Sequence, residues 1–429
     1  MLIAFSVENF RSIRDLQTLS IEESRSDEHL QWSNTFEAGQ RRVLKTAAIY
    51  GPNASGKSNV LGAMKWFREF VLNSSKEGQV GDLIPVVPFR LSTETERKPS
   101  HFEVEFFWEE HEYRYGFTVT SEKVESEWLF RRQAKAKPAR LFIRKGAKIE
   151  CSPKYFKEGR GIESRTRPNA LFLSVCAQWN VIEAANVLQW IMQFRCVSGL
   201  QDAQVFPFTA KRLTDPEHRQ QLTELARQAD LNIIGLRSES EEITEAQLPD
   251  NLRGLVPPVR PGQQLIQTKL RTTHEMRNGE GEVIGQIDFD LLTDESQGTQ
   301  KFIALSGPIT HTLEEGSILV VDELDARLHP CLTQAIVDLF HSPANRNNAQ
   351  LIVATHDVTL LEPERFRRDQ IWFCEKDEAG STNLYSLAEF DPKDVRPDTK
   401  FSRRYMQGLF GAIPRLAHFQ EAAEHAIAK

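Results

Sequence analysis

Cysteine is sparse and never clustered in this chain. Cys151, Cys176, Cys196, Cys331 and Cys374 are scattered over 429 residues with no C-x-x-C pair. That excludes a zinc ribbon and a disulfide-built scaffold, and it fits a reducing cytoplasm. No apolar run approaches the ~20 residues a bilayer-spanning helix needs, so no membrane partner is expected. The opening stretch, residues 1–7, alternates like a strand and lacks the basic start and apolar centre of a secretory signal. A basic surplus is missing too: the net charge is −7, so the surface as a whole does not advertise nucleic acid. There is no internal repeat, no extended low-complexity tract and no heptad pattern long enough for a coiled coil. What remains is an ordinary globular composition, 40% hydrophobic and 26% charged. The length allows one large domain with a lobe, or two domains.

Against that background one segment is highly specific. Gly51-Pro52-Asn53-Ala54-Ser55-Gly56-Lys57-Ser58 satisfies G-x-x-x-x-G-K-[ST] and follows the apolar run Ala47-Ala48-Ile49-Tyr50. Strand, glycine-rich turn, helix is the context a phosphate-binding loop requires. The glycines let backbone N–H groups turn inward toward phosphate oxygens. Lys57 is placed to reach the β- and γ-phosphates and Ser58 to ligate Mg²⁺. A helix starting near Ser58 adds its positive end.

Along the chain, residues 1–21 read as strands around Asn9-Phe10-Arg11-Ser12, and 22–42 as a polar loop. Residues 43–50 read as one buried strand, and 58–72 as a helix with Val60, Leu61, Met64, Phe67 and Val71 on its apolar face. Residues 73–100 look loop-like and 101–150 like a β-meander. From Arg131 to Lys148 there are eight Lys or Arg and no acid. This predicts an exposed hairpin, or else a contact with a phosphate backbone or a partner. Residues 170–196 read as helix. Asp215-Pro216-Glu217 is a helix start, with an acceptor cap and proline at the first helical position. Residues 238–262 read as a connector, 265–270 and 283–291 as strands, and 415–428 as a final helix. Arg396, Lys400, Arg403 and Arg404 form a basic tail that reads as plain surface or as a nucleic-acid or partner contact.

A second set of motifs completes a nucleotide site. Ile318-Leu319-Val320-Val321-Asp322-Glu323 is an apolar strand ending in two carboxylates, and chemistry in parallel sheets sits at such ends. Asp322 is the candidate for the Mg²⁺ shell, and Glu323 for orienting or deprotonating the attacking water. Upstream, Glu295-Ser296-Gln297-Gly298-Thr299-Gln300-Lys301 opens a helix where the Ser296 hydroxyl and the Gly298 amide could meet a γ-phosphate. Downstream, the strand 350–357 brings His356 to a position suited to donate a hydrogen bond to that phosphate.

In this order the motifs resemble the ABC-type ATPases of the SMC and OLD kind, and more closely the RloA-like AAA-family ATPases related to Septu- and PARIS-type phage-defence subunits. The resemblance runs almost end to end. It takes in Asn9-Phe10-Arg11-Ser12, the Walker A loop, a signature at 296–300, Walker B at Asp322-Glu323, a D-loop at Asp325, Leu328-His329-Pro330 and the switch His356. Asp369-Gln370-Ile371-Trp372-Phe373 and Gly411-Ala412-Ile413-Pro414 look like the smaller group's tail. Two departures stand out: the signature lacks the usual Leu-Ser-Gly-Gly wording, and no Q-loop glutamine can be assigned. The resemblance implies an α/β P-loop NTPase of ABC/SMC-like type, a mixed sheet flanked by helices. Its ATPase parts would be 1–72 and 281–429, with a β-rich and helical insert lobe at 73–280. It implies ATP with Mg²⁺, further nucleotide contacts from Arg11, Asn59, Gln300 and Asp325, and a pair of copies in which Ser296 and Gly298 act in trans. It implies a cytoplasmic ATPase acting as sensor or scaffold for a separate nuclease- or toxin-like effector in antiviral defence. Two other functions stay open: a DNA-repair or chromosome-associated clamp, and an ATP-loaded oligomerisation module with little hydrolysis. The residues do not choose between ATP and GTP.

Overall fold

The structure, a computed structural model, describes residues 1–24, 30–133, 136–243, 265–391, 395 and 400–414. It divides into two compact units. The first comprises Met1–Cys196, Leu313–Leu324 and Thr333–Lys429, and the second Val197–Thr312 and Asp325–Leu332. Among the described residues no helix is long and apolar enough to cross a membrane.

The first unit holds two sheets. In spatial order Lys148–Cys151, Ala139–Lys145, Val124–Gln133, His111–Val119, Ser100–Trp108, Leu2–Glu8 and Gln17–Ser20 make an antiparallel sheet of seven strands. Alternation drives it: in Ser100–Trp108 every second side chain is buried up to Phe106. The meander expected at 101–150 therefore joins the opening strands through pairing of Leu2–Glu8 with Ser100–Trp108. The second sheet has the order Phe194–Ser198, Ile318–Asp322, Gln350–Ala354, Thr46–Tyr50, Ile371–Lys376, Thr382–Ser386. Four of these strands run parallel, and Thr382–Ser386 returns antiparallel, so the sheet is mixed. Its central strands are buried along their whole length, which is why they read as unbroken apolar runs.

The helix Lys57–Asn73 presents Val60, Leu61, Met64, Phe67 and Val71 to the core. Trp66 stacks on Phe102 at 4.6 Å and Phe67 on Phe117 at 5.5 Å. Trp66 is half-buried, but Phe67, Phe102 and Phe117 are buried; each such ring stabilises the fold by about 1.5–3 kcal/mol, so the phosphate-loop helix is fixed from behind. A buried carboxylate supports the next helix. Glu127 accepts from Phe172 N at 2.7 Å and Leu173 N at 2.9 Å, the open start of the helix Phe172–Gln178. Arg144, also buried, lies 3.8 Å from it.

Several local expectations change. Residues 22–42 are not all loop: Thr35–Ala38 and Arg41–Leu44 form a two-stranded hairpin, whose polar residues hid the alternation. Lys45 therefore separates two strands where one was expected over 43–50. The helix expected over 170–196 is two helices broken at Asn180, which takes φ 59, followed by the strand Phe194–Ser198. Residues 238–243 are strand rather than connector, with Glu239 and Glu241 paired to Arg271 and Lys269. The basic run is in part the exposed hairpin expected, since Ala139–Lys145 pairs with Lys148–Cys151 and Lys137, Arg140, Lys145 and Lys148 are exposed. The rest is engaged, with Arg131 paired to Glu183 at 2.7 Å, Arg132 paired to Glu112, and Arg144 buried. The remainder of the connector, the helix 415–428 and Arg396 lie outside the described residues.

At the end of the sheet away from the phosphate loop, Gln370 donates to Thr46 Oγ1 at 2.6 Å and accepts from Asn34 Nδ2 at 2.7 Å. Thr46 Oγ1 in turn contacts His341 Nε2 at 2.8 Å. Burial, reinforced by Lys45 and Arg365, pulls the His341 pKa down to about 3. The imidazole is neutral, with Nε2 as acceptor. Since an unfolded histidine titrates near ~6.5, stability is complete above that pH and falls as the pH drops from there toward 3. A melting series should be flat from pH 7.5 to about 6.5 and decline from there to pH 5, a decline that His341→Gln reduces. An unchanged slope would remove His341 as its source.

Candidate functional site

The buried strand Thr46–Tyr50 delivers the chain into Gly51 at the carboxyl edge of the mixed sheet. The loop beyond it adopts backbone shapes that side chains resist, with φ 152 at Gly51, 63 at Ala54 and 109 at Gly56. A Cβ on Gly51 would meet the carbonyl oxygen of Cys374 and lie 2.7 Å from Ser55 Oγ. Pro52, Asn53 and Ala54 form the outer arm of the loop, the last two exposed. Lys57 opens the helix and is only 5% exposed. Its Nζ donates to Gly51 O at 2.8 Å and Pro52 O at 3.2 Å, holding the ammonium across the loop.

Strand register supplies the other half. Val321 lies opposite Val353, and Ala354 opposite Ile49, so Asp322, His356 and Gly51 leave the sheet along one edge. Leu324 N donates to Ala354 O and Thr355 N to Ile49 O, each at 3.1 Å, which ties the three strand ends together. Burial raises the Asp322 carboxyl above the usual range; a hydrogen bond from the Ser58 hydroxyl, the Lys57 charge, the Glu323 N–H and His356 oppose this. Asp322 Oδ1 and Ser55 Oγ are buried and have no hydrogen-bond partner among the described residues. The Ser58 hydroxyl and the Asp322 carboxylate are hard oxygen donors side by side, and with one carboxylate oxygen orphaned they fit the shell of a Mg²⁺ ion. Glu323 follows with φ 55, a left-handed shape that costs a non-glycine residue about 1–3 kcal/mol and recurs at working sites. His356 is exposed just past its strand.

The Asn9–Ser12 motif also reaches this helix. Ser12 Oγ accepts from Asn59 Nδ2 at 2.7 Å. The Arg11 guanidinium lies over the Phe10 ring at 5.2 Å, and its Nη1 is 3.2 Å from where a Cβ on Gly62 would sit, one turn beyond Ser58. Asn9 is structural, its side chain bonding Thr95 O, Lys98 O and Phe89 N.

A groove of about 900 Å³ runs over Gly51–Ser55 and past His356. Its far wall is Tyr405, Met406, Ile413 and Pro414, held by Tyr405 Oη to Ala412 O at 2.8 Å and Ala412 N to Glu375 Oε2 at 3.0 Å. The Gly411–Pro414 wording had marked this tail in the sequence, but nothing there pointed to the phosphate loop.

The remaining candidates belong to the second compact unit. Ser296 caps the helix Gln297–Glu315 by accepting from Thr299 N at 3.1 Å. Gln300 Nε2 donates to Leu292 O at 3.1 Å and Glu295 O at 2.9 Å. The buried Lys301 donates from Nζ to Ala326 O at 2.7 Å. A Cβ on Gly298 would lie 2.8 Å from Arg327 O, and Asp325 O accepts from Leu328 N at 3.0 Å. Arg327 pairs with Asp202 at 2.7 Å. The turn at Ser296–Gly298 and the turn beginning at Asp325 are thus one bonded cluster. Lys57, Ser58, Asp322, Glu323 and His356 come together in the first unit, and Ser296, Gly298, Gln300 and Asp325 in the second.

The family described as “AAA domain, putative AbiEii toxin, Type IV TA system” matches residues 47–362. No curated protein gives a significant match. Among solved structures, the SMC head domain from Thermotoga maritima is 15% identical with a TM-score of 0.38, over 90% of this chain and 98% of that one. The recombination mediator RecF in its ATPrS form is 15% identical with a TM-score of 0.30, over 90% and 98%. The ABC transporter component cbiO1 from Clostridium perfringens is 13% identical with a TM-score of 0.33, over 98% and 100%. Likenesses at these levels add nothing to what the loop and strand order already establish.

Proposed function

This chain belongs to the AAA-domain family described as a putative AbiEii toxin of a type IV toxin–antitoxin system, and from that premise we propose that it binds and hydrolyses ATP between two of its own copies. The carrying observation is the convergence of Lys57, Ser58, Asp322, Glu323 and His356 on one sheet edge beside a loop shaped for phosphate. Lys57 and the loop amides would neutralise the β- and γ-phosphate oxygens. Glu323 would take a proton from water as its oxygen bonds to the γ-phosphorus and the bond to the β–γ bridging oxygen breaks. His356 would donate to the γ-phosphate. Ser58 and Asp322 would hold Mg²⁺, which supplies charge neutralisation at the phosphates. Arg11 and Asn59 would border the nucleotide on the helix side, while Ser296, Gly298, Gln300 and Asp325 would come from the second copy.

In this reading ATP joins the copies and hydrolysis releases them. The output would be control of a separate nuclease- or toxin-like effector in phage defence, in keeping with the toxin–antitoxin wording of the family. A DNA-repair or chromosome clamp would use the same core, and strong, salt-sensitive duplex binding by the purified protein would establish it instead.

Two crippled copies test the shared site. Lys57→Ala loses the phosphate grip, and Ser296→Arg blocks the contribution in trans. Each alone should be inactive. Mixed equally, they should recover about a quarter of wild-type turnover, the share of complete sites that random pairing gives. No recovery, together with a wild-type mass unchanged by ATP, would end the two-copy reading.

A further inference from the structure

We propose that Thr382 and Ser12, far from the phosphate loop in sequence, are positioning residues that set its shape for nucleotide. The proposal rests on the ATP-binding reading above. Thr382 opens the returning strand Thr382–Ser386 and is fully buried. Its Oγ1 donates to Ser55 O, inside the loop, at 2.9 Å. The same oxygen lies 2.8 Å from Ser12 Oγ, and Ser12 Oγ accepts from Asn59 Nδ2 at 2.7 Å.

Each hydroxyl carries one proton, so the directions are determined. The Ser55 carbonyl can only accept, hence Thr382 gives its proton there. Ser12 must then donate to Thr382, and Asn59 donates to Ser12. The chain Asn59→Ser12→Thr382→Ser55 starts in the first turn of the helix and ends in the loop. It brackets Gly56, Lys57 and Ser58, the residues whose backbone and side chains face the phosphates in the proposed site.

The anchor of this relay is held independently. Thr382 N donates to Ser12 O at 2.8 Å. One residue earlier, Ser381 Oγ accepts from Arg14 N at 3.3 Å, and Ser381 N donates to Asp377 Oδ1 at 2.7 Å. Arg14 closes the set on Asp377 at 3.3 Å. The hairpin Ile371–Ser386 is thereby fastened to the turn after the first strand, and both press on the loop. Packing agrees: a Cβ on Gly56 would lie 2.7 Å from Thr382 Cγ2 and 2.9 Å from Thr382 Cβ. The threonine methyl fills the space behind the glycine while its hydroxyl holds the neighbouring carbonyl.

The test separates hydroxyl from shape. Thr382→Val keeps the volume and removes the proton, and Thr382→Ser keeps the proton. Binding of a non-hydrolysable ATP analogue with Mg²⁺, measured by calorimetry on the full chain, should weaken about tenfold in Thr382→Val and stay within about twofold of wild type in Thr382→Ser, as expected when a buried acceptor loses its donor. The melting temperature without nucleotide should fall by only a few degrees in Thr382→Val, the scale of one lost buried hydrogen bond in a chain of this size, and stay closer to wild type in Thr382→Ser. Ser12→Ala, at a half-exposed position, should show the same weakening, and the double variant Ser12→Ala/Thr382→Val no more than either single one, because a relay breaks once. Wild-type affinity in Thr382→Val, equal loss in Thr382→Ser, or additive losses in the double variant would each overturn the relay while leaving ATP binding intact. A wild-type chain that fails to bind the analogue would instead remove the nucleotide reading beneath it.

Discussion

Glu323→Gln should cut ATP turnover by about 10²–10⁴-fold, the usual worth of a positioned general base, while nucleotide still binds. The substitution keeps the side-chain volume and the hydrogen-bonding ability but removes the carboxylate that would accept the proton. Its neighbour Asp322, with the Ser58 hydroxyl bonded to it, is untouched, so the metal shell proposed for those two residues remains. The backbone at Glu323 holds φ 55, and glutamine meets the same left-handed penalty as glutamate, so the strand end should not rearrange. Binding without release should also make the ATP-bound pair persist. Size-exclusion chromatography with mass detection would then show a two-copy species that wild type passes through only transiently. Full turnover in Glu323→Gln would leave the chain without its proposed base. Binding with negligible turnover in wild type would favour the ATP-loaded oligomerisation module.

What could be read in the sequence was whatever a local constraint forces. Four fixed positions within eight, Gly51, Gly56, Lys57 and Ser58, are what a chain needs to curl around phosphate, so Gly51–Ser58 was legible. The central strands were legible because a buried parallel strand is apolar throughout, and Asp322 and Glu323 stand out at the end of such a run. Asp215 was legible because a cap needs an acceptor before a proline, and its carboxylate does accept from Glu217 N and His218 N at 3.0 Å. Pairings across distance were not legible. Arg131 and Glu183 are 52 residues apart, and no local pattern shows that part of a basic run is paired with acids elsewhere. The hairpin Thr35–Leu44 was hidden because its strands carry Glu37, Arg41 and Arg42. Thr382 gave no signal at all: a threonine opening a short strand is ordinary, and its importance comes from Ser12, 370 residues earlier.

Gly56→Ala should abolish measurable ATP binding, a loss of about 10²-fold or more, while the protein still folds. Two costs act at the same atom. Gly56 has φ 109, where an L residue pays about 1–2 kcal/mol. The new Cβ also runs into Thr382, whose Oγ1, Cγ2 and Cβ are its three nearest heavy atoms, and such overpacking costs about 1–3 kcal/mol. The sum lies below the roughly 5–15 kcal/mol that holds a domain together. The core built on Phe67, Phe102 and Phe117 does not involve Gly56, so the cheapest relief is local. Thr382 is pinned by the Ser12 backbone and by its place in the sheet, which leaves the loop itself to move. A loop displaced there carries Lys57 and Ser58 with it. Gly146→Ala is the matched control: φ is 58, yet nothing lies within 4 Å of the added Cβ, so it should lower the melting temperature slightly and leave ATP affinity alone. Equal affinity losses in both variants would show that backbone strain anywhere weakens the protein. Wild-type affinity in Gly56→Ala would show that the loop does not need the shape seen here to hold a triphosphate.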